Sequence, residues 1–349
     1  MFSSPEKLGS FLSSDRKQPD ILLYSSSFQN EALLSGKAHT AILLSENSIS
    51  GLIDGVETIP KYRHAERLVQ DILHIYSTSN LDTFVPEGKT GTGINAIHSS
   101  SGGAGNTSIA VGLSMLAARR DLKPLYLSFE SIPSTAFYFK GSSTRTFSDI
   151  IYYLKEKGNN LAVKLEGGCF NDAASGVHYF LPPESANELE ELTEEDIDLF
   201  MRTIRAASLF DIVFIDLPSG LNRRNNYILK LCDRIINVCT HGAFSGYKKG
   251  VMDSDPAVAA AEVKNDFSSR TYHILNKYSE NMPCDWCGND YLERFSVIIS
   301  ESEKMKYSFH EKLLIDIDPS FSASLGKILD CLVAGDGEKR RFGGGAAIA

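Results

Sequence analysis

The residues best placed to do chemistry are Ser101-Gly102-Gly103-Ala104-Gly105-Asn106-Thr107-Ser108, a glycine-rich turn followed by an amide and two hydroxyls. Ile94-Asn95-Ala96-Ile97-His98, just before it, reads as a short buried strand, and Ile109 to Arg120, just after it, as a helix of small and apolar residues. Strand, glycine turn and helix together form a phosphate cradle. The glycines let backbone N–H groups turn inward, and the helix N-terminus adds the positive end of its dipole. A common phosphate-binding loop has Lys where Asn106 stands, to neutralise the β- and γ-phosphates. Asn106 brings a hydrogen-bond donor without charge, so the pattern points to a nucleotide-binding fold whose chemistry is weakened or abolished.

Other polar residues stand where such a site needs them. Thr107 offers the kind of hydroxyl that holds Mg²⁺ beside bound phosphates. Asp216 ends the hydrophobic run Phe210-Asp211-Ile212-Val213-Phe214-Ile215, a position from which a carboxylate reaches the metal's shell through water. Asn276, after Ile274-Leu275, is placed to pair with an adenine edge through its amide. Each has a bland counterpart: a glycine turn, a helix cap, a strand-end turn. Their order along the chain supplies phosphate, metal and base contacts in turn, which favours ATP with Mg²⁺ over the separate bland readings.

The elements that must carry these residues are α/β in pattern. Asp20-Ile21-Leu22-Leu23-Tyr24 and Thr40-Ala41-Ile42-Leu43-Leu44 read as buried parallel strands, with a short helix expected over Phe28 to Lys37. Arg63 to Tyr76 reads as a closing helix. The Gly- and Thr-rich segment 81–93 reads as a linker, dividing a domain over 1–80 from a nucleotide-binding domain over 94–335, with a flexible tail over 336–349. In the second domain, strands are expected at Pro124 to Glu130, Phe210 to Asp216, Arg234 to Val238 and Tyr272 to Asn276. Helices are expected at Phe147 to Lys157 and Glu194 to Ala207, the latter with an acidic start suited to a helix N-terminus. Alternating strands and helices imply a parallel sheet with helices on both faces.

Composition narrows the function. A chain of 349 residues exceeds the usual single domain, and a formal charge of -9 argues against specific nucleic-acid binding. The short basic runs Arg223-Arg224, Lys248-Lys249 and Lys339-Arg340-Arg341 read as solvated surface. Six cysteines do not make a disulfide framework in a chain of this size, which fits a reducing compartment. Cys284 and Cys287 form one CxxC, with His273 the sole plausible further ligand nearby, and read as a loop with two thiols rather than a zinc site. No apolar run is long enough to span a membrane and the N-terminus lacks a secretory pattern, so a soluble, cytoplasmic protein is expected.

The motif Gly-Gly-x-Gly-x-Thr-Ser, the strand ending at Glu130, Phe-Asp-Ile-Val-Phe-Ile-Asp-Leu-Pro-Ser-Gly and Ile-Leu-Asn-Lys resemble the MinD/ParA class of deviant Walker ATPases, from Ile94 to Leu332. Within that class the chain is similar to the TadZ/CpaE-like pilus-assembly proteins, which carry an atypical receiver domain in front of the ATPase fold. Phe147-Ser148-Asp149-Ile150-Ile151-Tyr152, Gly176-Val177-His178-Tyr179-Phe180-Leu181-Pro182 and Ile59-Pro60-Lys61-Tyr62 carry that likeness.

The resemblance implies a P-loop NTPase-like sheet behind a smaller receiver-like module, with Gly102, Gly103, Ala104, Gly105, Asn106, Thr107, Ser108 and Asn276 around the nucleotide. It implies a homodimer acting with pilus-assembly or secretion proteins at the inner face of the membrane or a cell pole.

The departures from the class matter as much. Its signature Lys, which reaches a partner's nucleotide, falls at Ser101, and its ordinary loop Lys at Asn106. The two carboxylates of its Asp-x-Asp strand end fall at Ser128 and Glu130, the second being the residue that orients the attacking water. Cations such as the two missing lysines each contribute on the order of 3 kcal/mol to lowering the barrier, so hydrolysis is expected to be very slow.

Set beside a receiver, the first domain has Tyr24-Ser25-Ser26 where the phosphoacceptor Asp belongs and keeps a Lys at Lys61. Docking or dimer contacts are therefore expected of it, not phospho-signalling. It has only the helix-like Pro5 to Leu12 before Asp20, so either the domain is trimmed or the chain begins after its true start. An active partitioning ATPase and a nucleotide-free scaffold remain open alternatives.

Overall fold

The structure, a computed structural model, describes residues 2–12, 19–28, 38, 40–47, 51–53, 55–79, 91–141, 145–156, 161–220, 222–254, 267–280, 291–307 and 313–333. The expected helix up to Lys37, most of the linker, Cys284, Cys287, Lys339 to Arg341 and the tail lie outside the described residues. The chain divides into two units, one of residues 1–86 with 152–169, the other of 87–151 with 170–349.

The first unit is built on a four-stranded sheet ordered β1 (Ile21–Ser25), β2 (Thr40–Ser45), β4 (Val56–Pro60), β3 (Gly51–Ile53). β1, β2 and β4 run parallel, and β3 pairs antiparallel to β4. Alternation along the strands gives each face its own core. Tyr24, Leu22 and Leu43 meet Leu8 and Leu12 of the helix Pro5–Leu12, while Ile42, Ile59 and Leu44 meet Leu68, Ile72 and Ile75 of the helix Ala65–Ser79. The helix Leu161–Gly168 packs on Ala65–Ser79, so a segment that the sequence reading placed in the second domain folds with the first unit.

The second unit holds an eight-stranded sheet. In chain order its strands are β5 (Gly93–His98), β6 (Pro124–Ser128), β7 (Phe170–Asn171), β8 (His178–Tyr179), β9 (Ile212–Asp216), β10 (Arg234–Thr240), β11 (Thr271–Tyr278) and β12 (Val297–Ser300). Their order in the sheet is β12-β11-β10-β5-β9-β6-β8-β7. All neighbours run parallel except β7, which is antiparallel to β8. β5 and β9 are adjacent at the centre, and both are buried through almost their whole length, as strands covered on both faces must be. The loop helix Asn106–Arg119 is buried nearly all round, between the sheet and the helix Pro319–Val333. That explains its run of small residues: a Cβ on Gly112 would lie 2.5 Å from Leu325 Cδ1.

The helix Glu194–Ala207 begins as its acidic start implied. Thr193 accepts from the Asp196 N–H and Asp196 accepts from the Thr193 N–H, a reciprocal cap that satisfies two otherwise orphaned donors. One expectation about the surface is corrected. Arg224 is not solvated; it is 7% exposed, donates from Nη2 to Phe129 O at 3.0 Å and pairs with Glu190 at 3.1 Å. Its guanidinium ties the end of β6 to the helix Arg223–Leu231. No helix among the described residues is long and apolar enough to cross a membrane.

Candidate functional site

The parallel register brings the candidate residues to one end of the sheet. Asp216 stands opposite Ile97 of β5 and Ser128 of β6, so the last residue of β9 lies beside the start of the glycine loop and the end of β6. Backbone bonds from Leu217 N–H to Ile97 O and from Gly220 N–H to Ser99 O, each 3.0 Å, fix the turn after β9 against the turn after β5. The glycines are used as the cradle requires. Gly103 has φ +74° and Gly105, at the N-cap of the loop helix, has φ +101°, both in the left-handed region. Gly105 is constrained by space as well, since a Cβ there would lie 2.4 Å from Asn276 Nδ2.

Thr107, Asp216 and Glu130 come together under this loop. Asp216 is fully buried and accepts from the Tyr126 hydroxyl at 3.0 Å on Oδ2. Burial, then the nearby Glu130 charge, push its carboxyl up to about 7, while Thr107 and Tyr126 partly offset this by favouring the charged form. Glu130, half-buried, is raised by desolvation and opposed by a hydrogen bond from Thr107. The Tyr126 phenol is held well above its ordinary value by burial and then by the Asp216 charge. Asp216 Oδ1 has no well-directed donor among the described residues, although the Thr107 hydroxyl is close enough to favour its charge. A buried carboxylate raised by its neighbour's charge, one of its oxygens without a directed donor among the described residues, and a hydroxyl near both carboxylates suit a divalent cation, which would relieve the repulsion. The residues present therefore fit Mg²⁺, with Thr107 and Asp216 its nearest holders.

The two positions at which the resemblance expects lysine are tied inward. Asn106 donates from Nδ2 to Leu217 O at 3.1 Å, and its Oδ1 is buried without a partner among the described residues. Ser101 is 9% exposed and donates to Ser245 Oγ at 3.3 Å, on the helix Ala243–Ser254. Neither position presents a cation to the loop.

Asn276 is brought to the loop, but its Nδ2 donates to Ala104 O at 2.8 Å and so braces the backbone. With Gly105, Lys277, Ser300, Glu301 and Phe321 it also lines a cavity of about 200 Å³ beside the loop. His273, the candidate partner for the cysteine pair, sits on β11 with Nδ1 3.2 Å from Asn237 Nδ2.

Sequence reasoning missed Tyr126, Ser245 and Lys277. Tyr126 looked like one more apolar strand residue, and its signal was the alternation that aims it at the loop helix. Lys277 donates from Nζ to Gly103 O at 2.7 Å, and adjacency to Asn276 was the one sequence cue.

No family model matches the chain, and no curated protein matches it. Among solved structures it is similar to the septum site-determining protein MinD of Pyrococcus horikoshii OT3 complexed with Mg-ADP, at 16% identity over 70% of this chain and 97% of that one, with a TM-score of 0.53. A ParA family ATPase from Chlorobium tepidum TLS matches at 16% identity over 70% of this chain and 100% of that one, TM-score 0.53. The Cyanothece McdA(D38A)–ATP complex matches at 15% identity over 70% and 97%, TM-score 0.55. The fold is that of the MinD/ParA-type P-loop proteins: a large, mostly parallel sheet with helices on both faces.

Proposed function

We propose that this chain binds ATP with Mg²⁺ at residues 102–108 and uses it as a ligand that favours one assembled form, with little or no hydrolysis. The observation that carries the reading is the loop itself. Gly103 and Gly105 take left-handed conformations in the loop that leads to Thr107, and Asp216 keeps one buried oxygen, Oδ1, without a directed donor among the described residues, while Asn106 and Ser101, where cations would stand, are turned inward. Backbone N–H groups, Thr107 and Asp216 supply ground-state contacts that need no cation on the loop itself. The charge that would stabilise phosphoryl transfer is what the loop lacks. Glu130 is the residue we assign to orienting water in whatever turnover remains, and Asn276 to the edge of the base, through the cavity it lines.

The biological role we propose is that of a localisation or assembly factor for a Tad/Flp-type pilus or secretion machine, at the inner face of the membrane or a cell pole. The phrases around Phe147, Gly176 and Ile59 support it, together with the order of the small sheet. β1-β2-β4 run parallel and adjacent, as do the last three strands of the doubly wound 2-1-3-4-5 order that receivers share. Tyr24-Ser25 ends β1 without a carboxylate, and Lys61, after β4, lies 4.0 Å from Glu46, so contacts rather than phosphorylation are the role proposed for this unit.

Two measurements test the proposal. Phosphate release by the unmodified protein is expected to be negligible, and Asn106→Lys alone to tighten ATP binding without restoring release while Ser101 and Glu130 remain. Robust release by the unmodified chain favours the active partitioning ATPase instead. In sedimentation, the full chain is expected to be a homodimer with and without ATP–Mg²⁺. Deleting the residues before Leu81 would strip the helix Leu161–Gly168 of its packing partner, so Leu52→Asp with Tyr62→Asp, at side chains 69% and 75% exposed, is the cleaner disruption. A monomer under both conditions refutes the dimer.

A further inference from the structure

We infer that Lys277 supplies, from the end of β11, the cation that the glycine loop has lost, and that it holds the phosphate groups of the bound nucleotide; this rests on the nucleotide reading above. Three observations converge on it. The first is the contact: the Lys277 ammonium donates to Gly103 O at 2.7 Å, which sets a full positive charge at the loop between two left-handed glycines. An ammonium carries three donors, so that bond leaves two for a ligand, and the side chain is exposed.

The second is the backbone. Lys277 has φ +58°, in the left-handed region that residues with a Cβ seldom occupy. The pairing of β11 with β12 shifts register between Leu275 and Tyr278, across Asn276 and Lys277. A regular strand would send these two neighbours to opposite faces of the sheet. The irregularity instead brings both to the same loop, Asn276 to Ala104 O and Lys277 to Gly103 O. Bulges and strained residues of this kind occur where a side chain is re-aimed beside a site.

The third is the chemistry of the loop. With Asn106 bonded to Leu217 O and Ser101 to Ser245, neither usual position carries charge. A polyphosphate would meet N–H dipoles, a metal and two carboxylates. Lys277, bonded to Gly103 O, is positioned to balance that charge. Bracing the loop and binding phosphate are compatible: the carbonyl of Gly103 holds the ammonium in place before the ligand arrives.

The test is equilibrium titration of ATP–Mg²⁺ into the full chain, its Lys277→Gln, Lys277→Arg and Asn106→Lys/Lys277→Gln variants, at several salt concentrations, with the ligand-free unfolding midpoint of each. Lys277→Gln keeps a donor for Gly103 O but loses the charge. Its affinity is expected to fall about tenfold to a hundredfold, with a shallower salt dependence and an unchanged midpoint. Lys277→Arg is expected to stay near the unmodified chain, and Asn106→Lys to restore binding in the Lys277→Gln background. Unchanged affinity in Lys277→Gln overturns the inference and leaves the nucleotide reading standing. So does a loss accompanied by a lowered midpoint that Asn106→Lys does not repair, which marks a brace alone. An unmodified chain that binds no ATP overturns the nucleotide reading, and this inference with it.

Discussion

In the double variant Thr107→Ala/Asp216→Ala, Mg²⁺-dependent ATP binding is expected to fall by at least about a hundredfold, since two groups that would hold the ion are removed and each bond to a charged centre is worth roughly 1.5–3 kcal/mol. The expectation comes from the site's asymmetry. Asp216 already has a donor on Oδ2 from Tyr126, while Oδ1 is buried with no directed donor among the described residues and the Thr107 hydroxyl lies near the carboxylate. Binding that survives without Mg²⁺ in this variant would be the share due to loop N–H groups and Lys277. Isothermal titration with and without the metal separates the two, and an unchanged Mg²⁺-dependent affinity would show that the ion sits elsewhere.

The second large effect is on stability, with the opposite sign. Asp216→Asn is expected to stabilise the ligand-free chain strongly near pH 8 and scarcely near pH 5. Burial and the Glu130 charge raise the Asp216 carboxyl from 3.8 to about 7, so the folded chain holds a proton there that the unfolded chain releases between those values. A group raised on folding makes the folded state bind more protons, so stability falls as pH climbs through that window. Above it the full cost of a buried, unmatched carboxylate is present, on the order of 4 kcal/mol for such a shift. Asn keeps the hydrogen bond from Tyr126 and removes the charge. Urea unfolding of both proteins at the two pH values checks this, and an equal gain at both would mean that Asp216 is charged in the folded state throughout. The same carboxylate that weakens the empty fold is the one proposed to hold the ion, so a bound Mg²⁺ should narrow the gap between the two proteins at high pH.

Much of this site was legible before any coordinates, because its parts are local. The run of small residues after Gly105 marks a buried helix, and Phe210 to Ile215 marks a central strand whose next residue, Asp216, must stand at the sheet's carboxyl edge. The acidic start of the helix Glu194–Ala207 showed its cap directly. What was not legible depended on partners distant in the chain. Lys277 follows Asn276 in sequence, and alternation would point them apart; only the register shift against β12 brings both to the loop. β12 itself has four residues, and β7 and β8 two each, too short for periodicity to speak. Arg224 read as surface because Arg223 beside it is a surface residue, yet a helix turns neighbours by about a quarter circle and buries one of them. In the first unit β3 was missed although Asp54-Gly55 is a hairpin signal, since Gly51–Ile53 is a three-residue edge strand. The helix Leu161–Gly168 was assigned by sequence proximity to the second domain, while its apolar surface is used against Ala65–Ser79.

The central claim is that a glycine loop with no lysine among residues 101–108 binds nucleotide but does not turn it over. Equilibrium titration of ATP–Mg²⁺ into the unmodified full chain, with free phosphate followed in the same samples, tests it most directly. Saturable binding at one site per chain without accumulation of phosphate is the expected result, and either absence of binding or steady phosphate release would contradict it.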